Sequence, residues 1–355
     1  MKILHVINNL GSGGAEKLIV QICNSLAQEH EVGLFLMNNH SDFFLPQLDK
    51  KVKLYKANGG SRFSLKTFQE LRKTAKNYEV IHGHLFPVLY YVSFLISLLP
   101  KKKWVFTEHN ITNNRRSKKY LQRFEKWIYS RFDRVTAISS GVQSELENWL
   151  NHEKEIDLLY NFINIEEINN ASTAQRSEFG FTNEDVLFIM VGSFANSQKR
   201  QQDLIDSMSY LPEQFKLLLI GEGPRLEEFR SKAEFLGLKD RVCFLGRRSD
   251  VYSILKFCDY GVLASEWEGF GLVALEYMAC GIPSIASNVN GLNEVVTDKR
   301  CLFEKGNSKE LAERILFLED YEAAKSEVLK KQFETVAGYD QPEYMKKLIN
   351  IYTEE

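Results

Sequence analysis

Short runs of β-branched and aliphatic residues alternate with amphipathic helical stretches along almost the whole chain, and this alternation limits the fold more than any other feature. In the first half the runs are KILHVIN, EVGLFLM, VKLYKA, EVIHGHL, WVFTEHN and RVTAIS; in the second they are VLFIMVGSF, FKLLLIGEG, RVCFLG, YGVLAS and PSIAS. Such alternation marks parallel sheets covered by helices, so the expected class is α/β with doubly wound, Rossmann-like sheets. The pattern lapses into a polar stretch between DLLYNFINIEEI and TAQRSEFGFTNED, and a new strand-helix series begins at Asp185. A boundary near Asn164 follows. One domain is expected over residues 1–164, a second over 165–335, and a closing helical segment over 336–355, where PEYMKKLINIY is able to pack back on the first domain. Open α/β sheets bind ligands at the carboxyl ends of their strands, which makes the cleft between the two halves the expected site.

A chain of 355 residues, 44% hydrophobic and 26% charged, is long enough for two full cores and far from disorder. The five cysteines (Cys23, Cys243, Cys258, Cys280, Cys301) show no CxxC or other ligand spacing and read as reduced core residues, which points to the cytoplasm. The stretch MKILHVINNL has one lysine and an apolar run ending at glycines, without a small-residue cleavage site, so a first strand is expected rather than a signal peptide. The longest apolar run, Leu85 to Pro100, is shorter than the roughly 20 residues that cross a bilayer, and a buried helix is expected there. Charge is uneven: residues 1–165 hold 23 Lys+Arg against 15 Asp+Glu, a net of +8, and residues 166–355 hold 22 against 32, a net of −10. A basic first half facing an anionic partner fits that asymmetry.

Three glycines precede the helical stripe Leu18, Ile19, Ile22 and Leu26 in GSGGAEKLIVQICNSL. A helix start offers free N–H groups and a positive dipole end, so this turn is a candidate phosphate cradle or a plain tight turn. A dinucleotide fingerprint needs a glycine where this chain has Glu16, whose charge opposes a pyrophosphate. Lys199 and Arg200 stand at the start of the helix after VGSFANSQ, against the dipole, as either an anion site or a solvated pair. In SEWEGFGLVALEYMACGIPSIAS the strand YGVLAS leads into a loop, and the helix LVALEYMACG ends at Gly281 before Pro283. Glu268 then lies at the strand tip and Glu276 on the helix. The N–H groups of Gly271, Leu272 and Val273 offer a second anion site. Taken alone, the two carboxylates fit a glycosidase acid and nucleophile as well as two glutamates at a helix start.

The order of the pieces narrows this. GGAE after the first strand, TEHN after the fifth, VGSF followed by a lysine, LLLIGEGPRLEEFRSKAEFLGLKDRVCFLG and EGFGLVALEYMACGIPSIAS resemble, in sequence and in order, the large retaining glycosyltransferase family with the GT-B fold often called family 4, or group 1. The similarity spans nearly the whole chain. It implies two Rossmann-like domains, with a nucleotide-diphosphate sugar bound mainly by the second and the acceptor by the first. It also implies that Glu276 holds the ribose hydroxyls, that Glu268 contacts the donor sugar within the turn Gly269, Phe270, Gly271, Leu272 and Val273, and that Lys199 binds the diphosphate. Gly13 and Gly14 match glycines near the diphosphate, and His109 matches a histidine beside the transferred sugar. Gly221 and Gly223 in GEGP, with Arg247 in LGRR, lie where the base usually sits. A growing diphosphate charge needs preorganised donors, each commonly worth roughly 3 kcal/mol. His109, Lys199 and Glu268 form the expected catalytic set.

The expected protein is therefore a retaining glycosyltransferase using a UDP-sugar and building a cell-surface glycan or glycolipid on a glycan or lipid-linked acceptor. No cofactor, metal or nucleic-acid partner is expected, since no D-x-D occurs in the chain. Two rivals are an epimerase of the same fold and a catalytically silent donor-binding partner protein. One departure matters: Ser193 stands where the family usually has an arginine, and Arg200 or the glycine-turn amides are expected to replace it in part. His82 and His84 share a strand face as metal ligands do, but with no third ligand apparent they are expected to line the cleft or pack the core. Residues 114–134 carry eight basic and two acidic residues, with Tyr120, Leu121, Phe124, Trp127, Ile128 and Phe132 at helical spacing. That stretch fits a helix on the inner, anionic face of a membrane or a domain helix with its apolar face in the core.

Overall fold

The computed structural model describes residues 1–38, 40–58, 63–111, 113 and 115–354. The chain forms two compact units: Met1–Asn161 with Pro342–Glu355, and Phe162–Gln341. The first holds a parallel sheet of strands β1 (Lys2–Ile7), β2 (Glu31–Leu36), β3 (Lys53–Lys56), β4 (Val80–His84), β5 (Lys103–Glu108), β6 (Arg134–Ala137) and β7 (Asp157–Leu158), in the order β3-β2-β1-β4-β5-β6-β7. All five residues of β4 and five of the six in β1 are buried, as expected of central strands covered on both faces. The register sets His5 opposite His82, His84 opposite Thr107 and Thr107 opposite Thr136.

The second unit repeats the plan with β8 (Val186–Val191), β9 (Phe215–Ile220), β10 (Val242–Gly246), β11 (Tyr260–Leu263), β12 (Ser284–Ser287) and β13 (Leu302–Phe303), ordered β10-β9-β8-β11-β12-β13. In each sheet the strand order reverses beside the first strand, between β1 and β4 and between β8 and β11. A crevice opens at such a switch point. The two-residue strands β7 and β13 are too short to leave an apolar run, and the sequence pattern does not show them.

Helix starts follow local chemistry. Ser139 accepts from the Val142 N–H at 3.1 Å, and Asn164 from the Glu167 N–H at 2.9 Å, each satisfying an orphan donor of the first turn. The stretch Leu85 to Pro100 holds the helix Val88–Ile96, buried through Val88, Leu89, Tyr91, Val92 and Leu95. No helix among the described residues is long and apolar enough to cross a membrane.

The units meet in sequence at Asn161/Phe162 and Gln341/Pro342. The sequence reading puts these divisions near Asn164 and residue 335. The Ile163 N–H bonds the Tyr339 carbonyl at 3.0 Å and Ile163 bridges Asp340, so both short segments join the second unit. The last helix, Gln341–Thr353, buries Tyr344, Leu348, Ile351 and Tyr352, and from Pro342 onward it belongs to the first unit.

Candidate active site

In the second unit the loops after β8 and β11 are tied together at the switch point. The Glu266 N–H bonds the Gln198 carbonyl at 2.7 Å, and the Gln198 amide returns to the Trp267 carbonyl at 3.0 Å. These clamps bring Lys199 against Glu268. The ammonium pairs with Glu268 Oε1, and the Ser265 hydroxyl donates to the same oxygen at 2.7 Å. The lysine stem lies over Gly192, where an added Cβ would come within 3.3 Å of its Cγ.

Glu276 is 9% exposed and accepts from the Tyr252 hydroxyl at 2.9 Å. Burial first, then this carboxylate, drives the Tyr252 phenol far above its usual range. Gly271 caps the helix Leu272–Ala279 at φ +99°, and a side chain there would meet Leu292. Among the described residues the N–H groups of Gly271, Leu272 and Val273 have no hydrogen-bond partner. Free first-turn N–H groups are the donor set that an anion takes. Phe270, next to Gly269, is buried edge-on against Tyr339 at 5.3 Å.

Gly221 and Gly223 act through close approach. A Cβ on Gly221 would sit 2.0 Å from the Gly192 carbonyl oxygen, and one on Gly223 would sit 2.3 Å from the Phe194 backbone. Ser193 is tied into this contact: its hydroxyl reaches the Glu222 carbonyl at 3.3 Å and accepts from the Ala195 N–H at 3.2 Å. Arg247 pairs with Glu222 at 3.1 Å on the surface. Arg200, at φ +48°, holds Asp203 through two nitrogens at 2.6 and 3.2 Å and Glu266 through a third at 2.8 Å. Its guanidinium is thus engaged by two carboxylates.

In the first unit, Gly13 caps the helix Gly14–Leu26, and both glycines are exposed. The Glu16 carboxylate folds back over Gly13, where a Cβ would come within 2.3 Å of Oε2; burial raises this carboxyl above its usual range. His109 follows β5, is 7% exposed, and bonds through Nε2 to His84 Nδ1 at 3.2 Å. Burial pushes its imidazole down to about 4. The adjoining Glu108 bonds the Arg116 guanidinium at 2.9 Å and the Tyr129 hydroxyl at 2.7 Å. Burial alone would raise the Glu108 carboxyl, but these partners outweigh it and hold it below the usual range.

The third histidine that the sequence reading lacked is His5. Its ligand atom and those of His82 and His84 all lie within 4.8 Å of one another. No spacing in the chain signals this, because His5 reaches His82 only through the register of β1 on β4. Ser265, Tyr252 and Glu266 are likewise site residues that only the fold reveals.

The basic stretch from residue 114 to 134 is not one helix; Asn114 lies outside the described residues, and the α-helix covers Gln122–Ser130. Arg115 and Arg116 turn inward to the buried Glu125 and Glu108. Ile128 and Phe132 are core, while Tyr120, Phe124 and Trp127 are 75%, 36% and 44% exposed.

Two Rossmann-like units of this topology define the GT-B class. A crystal structure of Anabaena Alr3699/HepE in complex with UDP and glucose superposes with a TM-score of 0.85 at 21% identity, covering 100% of both chains. Residues 12–167 match the family described as Glycosyltransferase Family 4, and residues 171–334 match Glycosyl transferases group 1. The chain belongs to this glycosyltransferase family. Among curated relatives, it is 32% identical over 225 residues to the N-acetyl-alpha-D-glucosaminyl L-malate synthase of Bacillus anthracis, covering 58% of this chain and 59% of that protein. The chain thus spans about three fifths (59%) of that relative's length. It is also 25% identical over 311 residues to the N-acetylgalactosamine-N,N'-diacetylbacillosaminyl-diphospho-undecaprenol 4-alpha-N-acetylgalactosaminyltransferase of Campylobacter jejuni, covering 82% of each.

Proposed function

We propose that this protein is a retaining, metal-independent glycosyltransferase that moves a sugar from a UDP-sugar to a glycan or lipid-linked acceptor in cell-surface polysaccharide or glycolipid synthesis. The observation that carries the reading is the Lys199–Glu268 pair beside the free N–H groups of Gly271, Leu272 and Val273 at the switch point of the second sheet. A cation and a helix start there suit a diphosphate, and Glu268 and Glu276 are acceptors suited to sugar and ribose hydroxyls. UDP and glucose in the Anabaena structure support the donor, and the diphospho-undecaprenol substrate named for the Campylobacter relative supports a lipid-linked acceptor.

In this reading the acceptor oxygen bonds to the anomeric carbon on the face from which the diphosphate leaves. The anomeric C–O bond to the diphosphate breaks, and the leaving diphosphate takes the acceptor's proton. Lys199 and the turn amides, with Arg200, Gly13 and Gly14 as further donor contacts, meet the charge that grows on it. Gly221, Gly223 and Arg247 are assigned to the base, Gly269 and Phe270 to the donor turn, and His109 to the transferred sugar. The chain has no D-x-D to hold a bridging metal, so turnover is expected to survive chelation.

A thermal-shift screen of UDP-, GDP- and ADP-sugars tests this. A ligand at 100 times its dissociation constant stabilises by about 2.7 kcal/mol, so a UDP-sugar is expected to raise the melting temperature by several degrees. Donor hydrolysis or transfer by the native chain, lost in Glu268→Ala, is the second expected result. No shift with any nucleotide sugar would sink the reading, and binding without turnover would leave only a donor-binding protein.

A further inference from the structure

The imidazoles behind His109 form one unbranched hydrogen-bond path within the first unit. Thr136 Oγ1 meets Thr107 Oγ1 at 2.7 Å, and Thr107 Oγ1 meets His82 Nε2 at 2.7 Å. His82 Nδ1 meets the Tyr352 hydroxyl at 2.7 Å, and that hydroxyl meets His5 Nε2 at 3.4 Å, the longest link. His5 Nδ1 then meets His84 Nε2 at 3.0 Å, and His84 Nδ1 meets His109 Nε2 at 3.2 Å. Thr136, Thr107, His82, His5 and His84 are all at most 2% exposed, and the path opens only at His109.

Every nitrogen of His5, His82 and His84 is spent on this path. The His82 and His84 rings also lie with centroids 4.1 Å apart and planes tilted by 37°, closer to stacking than to convergence on a cation. Filling the three-histidine cluster with a metal would break these bonds. Burial holds the imidazoles neutral at pH 7, with His5 down to about 3 and His109 to about 4. A neutral imidazole has one N–H and one bare nitrogen, so each donates to one neighbour and accepts from the other. The path therefore runs all inward or all outward, since a Thr107 or Tyr352 hydroxyl that accepted from both sides would leave its own proton unpaired.

The dead end selects between them. If protons point inward, the last donor is the Thr136 hydroxyl, which is 0% exposed and has no acceptor besides Thr107 among the described residues. A buried donor without an acceptor has lost its bond to water and gained none in return, so this order is disfavoured. If protons point outward, every donor before His109 finds an acceptor, and the last is the N–H on His109 Nδ1, which has no partner among the described residues but lies at the 7% exposed end of the path. We propose that His5, His82, His84 and Tyr352 are positioning residues that hold His109 as its neutral Nδ1–H tautomer, a fixed hydrogen-bond donor at the open end of the chain. That this donor meets a sugar oxygen rests on the glycosyltransferase reading; the tautomer does not.

Two-bond ¹H–¹⁵N correlation spectra of the full chain, labelled at histidine nitrogen, read the tautomers without substrate. At pH 7 the expected result is four neutral Nδ1–H imidazoles, unlike the Nε2–H form that free histidine favours in water. His40 and His152, both exposed, serve as references. His5→Asn keeps a donor at the Nδ1 position and is expected to leave His84 and His109 unchanged. His5→Asp puts an acceptor there and is expected to turn both to Nε2–H. The proposal is overturned by a native His109 that is Nε2–H or a mixture, by a His109 indifferent to a folded His5→Asp, or by stoichiometric metal in the purified protein. If His5→Asp does not fold, the native spectrum alone decides. A silent enzyme with the four Nδ1–H signals would leave the path standing and only the function reading lost.

Discussion

The Lys199 ammonium is ion-paired with the Glu268 carboxylate, which also accepts from Ser265, so cation and acceptor restrain each other at the tip of the second sheet. Their side chains are only 20% and 12% exposed. Removing one charge leaves the other mostly buried and without its ion-pair partner. Lys199→Ala is expected to destabilise by about 1–3 kcal/mol and to lower turnover at least 100-fold, as loss of a preorganised donor does. The double substitution Lys199→Met with Glu268→Gln is expected to regain most of the stability and none of the turnover. Urea denaturation beside a donor-hydrolysis assay checks both, and a double variant no more stable than Lys199→Ala would show the pair is not the cause.

Arg200 has a structural duty whatever its part in donor binding. Asp203 is 3% exposed and depends on the Arg200 guanidinium for two bonds. Arg200→Ala is expected to cost about 3 kcal/mol of stability. In a donor titration of the folded variant, an unchanged dissociation constant would assign Arg200 to structure alone.

Close approach makes Gly221 sensitive. Gly221→Ala places a methyl 2.0 Å from the Gly192 carbonyl oxygen, and the β8 and β9 loops must separate. Gly237→Ala, at φ +70° with nothing within 4 Å, isolates the backbone cost, about 1 kcal/mol. Thermal unfolding is expected to rank Gly221→Ala several degrees below Gly237→Ala, with donor affinity lost only in the former.

Stability of the first unit is expected to fall with acid. His109 is depressed to about 4, His5 to about 3, and His82 and His84 well below their ordinary value, burial being the largest cause of each. Their neighbours across the sheet are the uncharged Thr107, Thr136 and Tyr352, and only Glu108, beside His109, pulls the other way. The unfolded histidines take up protons below about pH 6.5 that the folded ones refuse, so this contribution is complete above that pH and is lost as pH falls. Each histidine adds a slope of up to about 1.4 kcal/mol per pH unit, and the share of His109 stops growing near pH 4. Denaturation at pH 7 and pH 5 measures the slope, and a flat profile would mean the histidines are not held neutral.

Phe94, Phe124 and Trp127 make an exposed apolar patch on the first unit, with Phe94 and Phe124 each 5.9 Å from the Trp127 ring and Arg131 over it at 4.7 Å. Aromatic rings beside cations suit an anionic lipid surface. The native protein is expected to float with vesicles containing phosphatidylglycerol at low salt, and Phe94→Asp with Trp127→Asp to remain at the bottom of the gradient. Equal flotation of both would remove this surface from the membrane reading.

The five ordered motifs made both sheets and most residues of the candidate site legible, because the ends of strands and the starts of helices carry local signals. KILHVIN and VLFIMVGSF are mostly apolar since their strands are buried on both faces, and Gly271 shows itself because only glycine takes φ +99° cheaply. Long-range partners left no such trace. Lys199 stands 69 residues from Glu268, and the two meet because β8 and β11 are neighbours at the switch point. His5 is 79 residues from His84, and Tyr352 is 270 from His82; sheet register and the return of the last helix place them. The sequence by itself determined the alternation, the glycines and the charged side chains. Only the tertiary structure decided which carboxylate holds which cation and which histidine hands its hydrogen bond to the next, because those pairings depend on strand order rather than on any local preference of the chain.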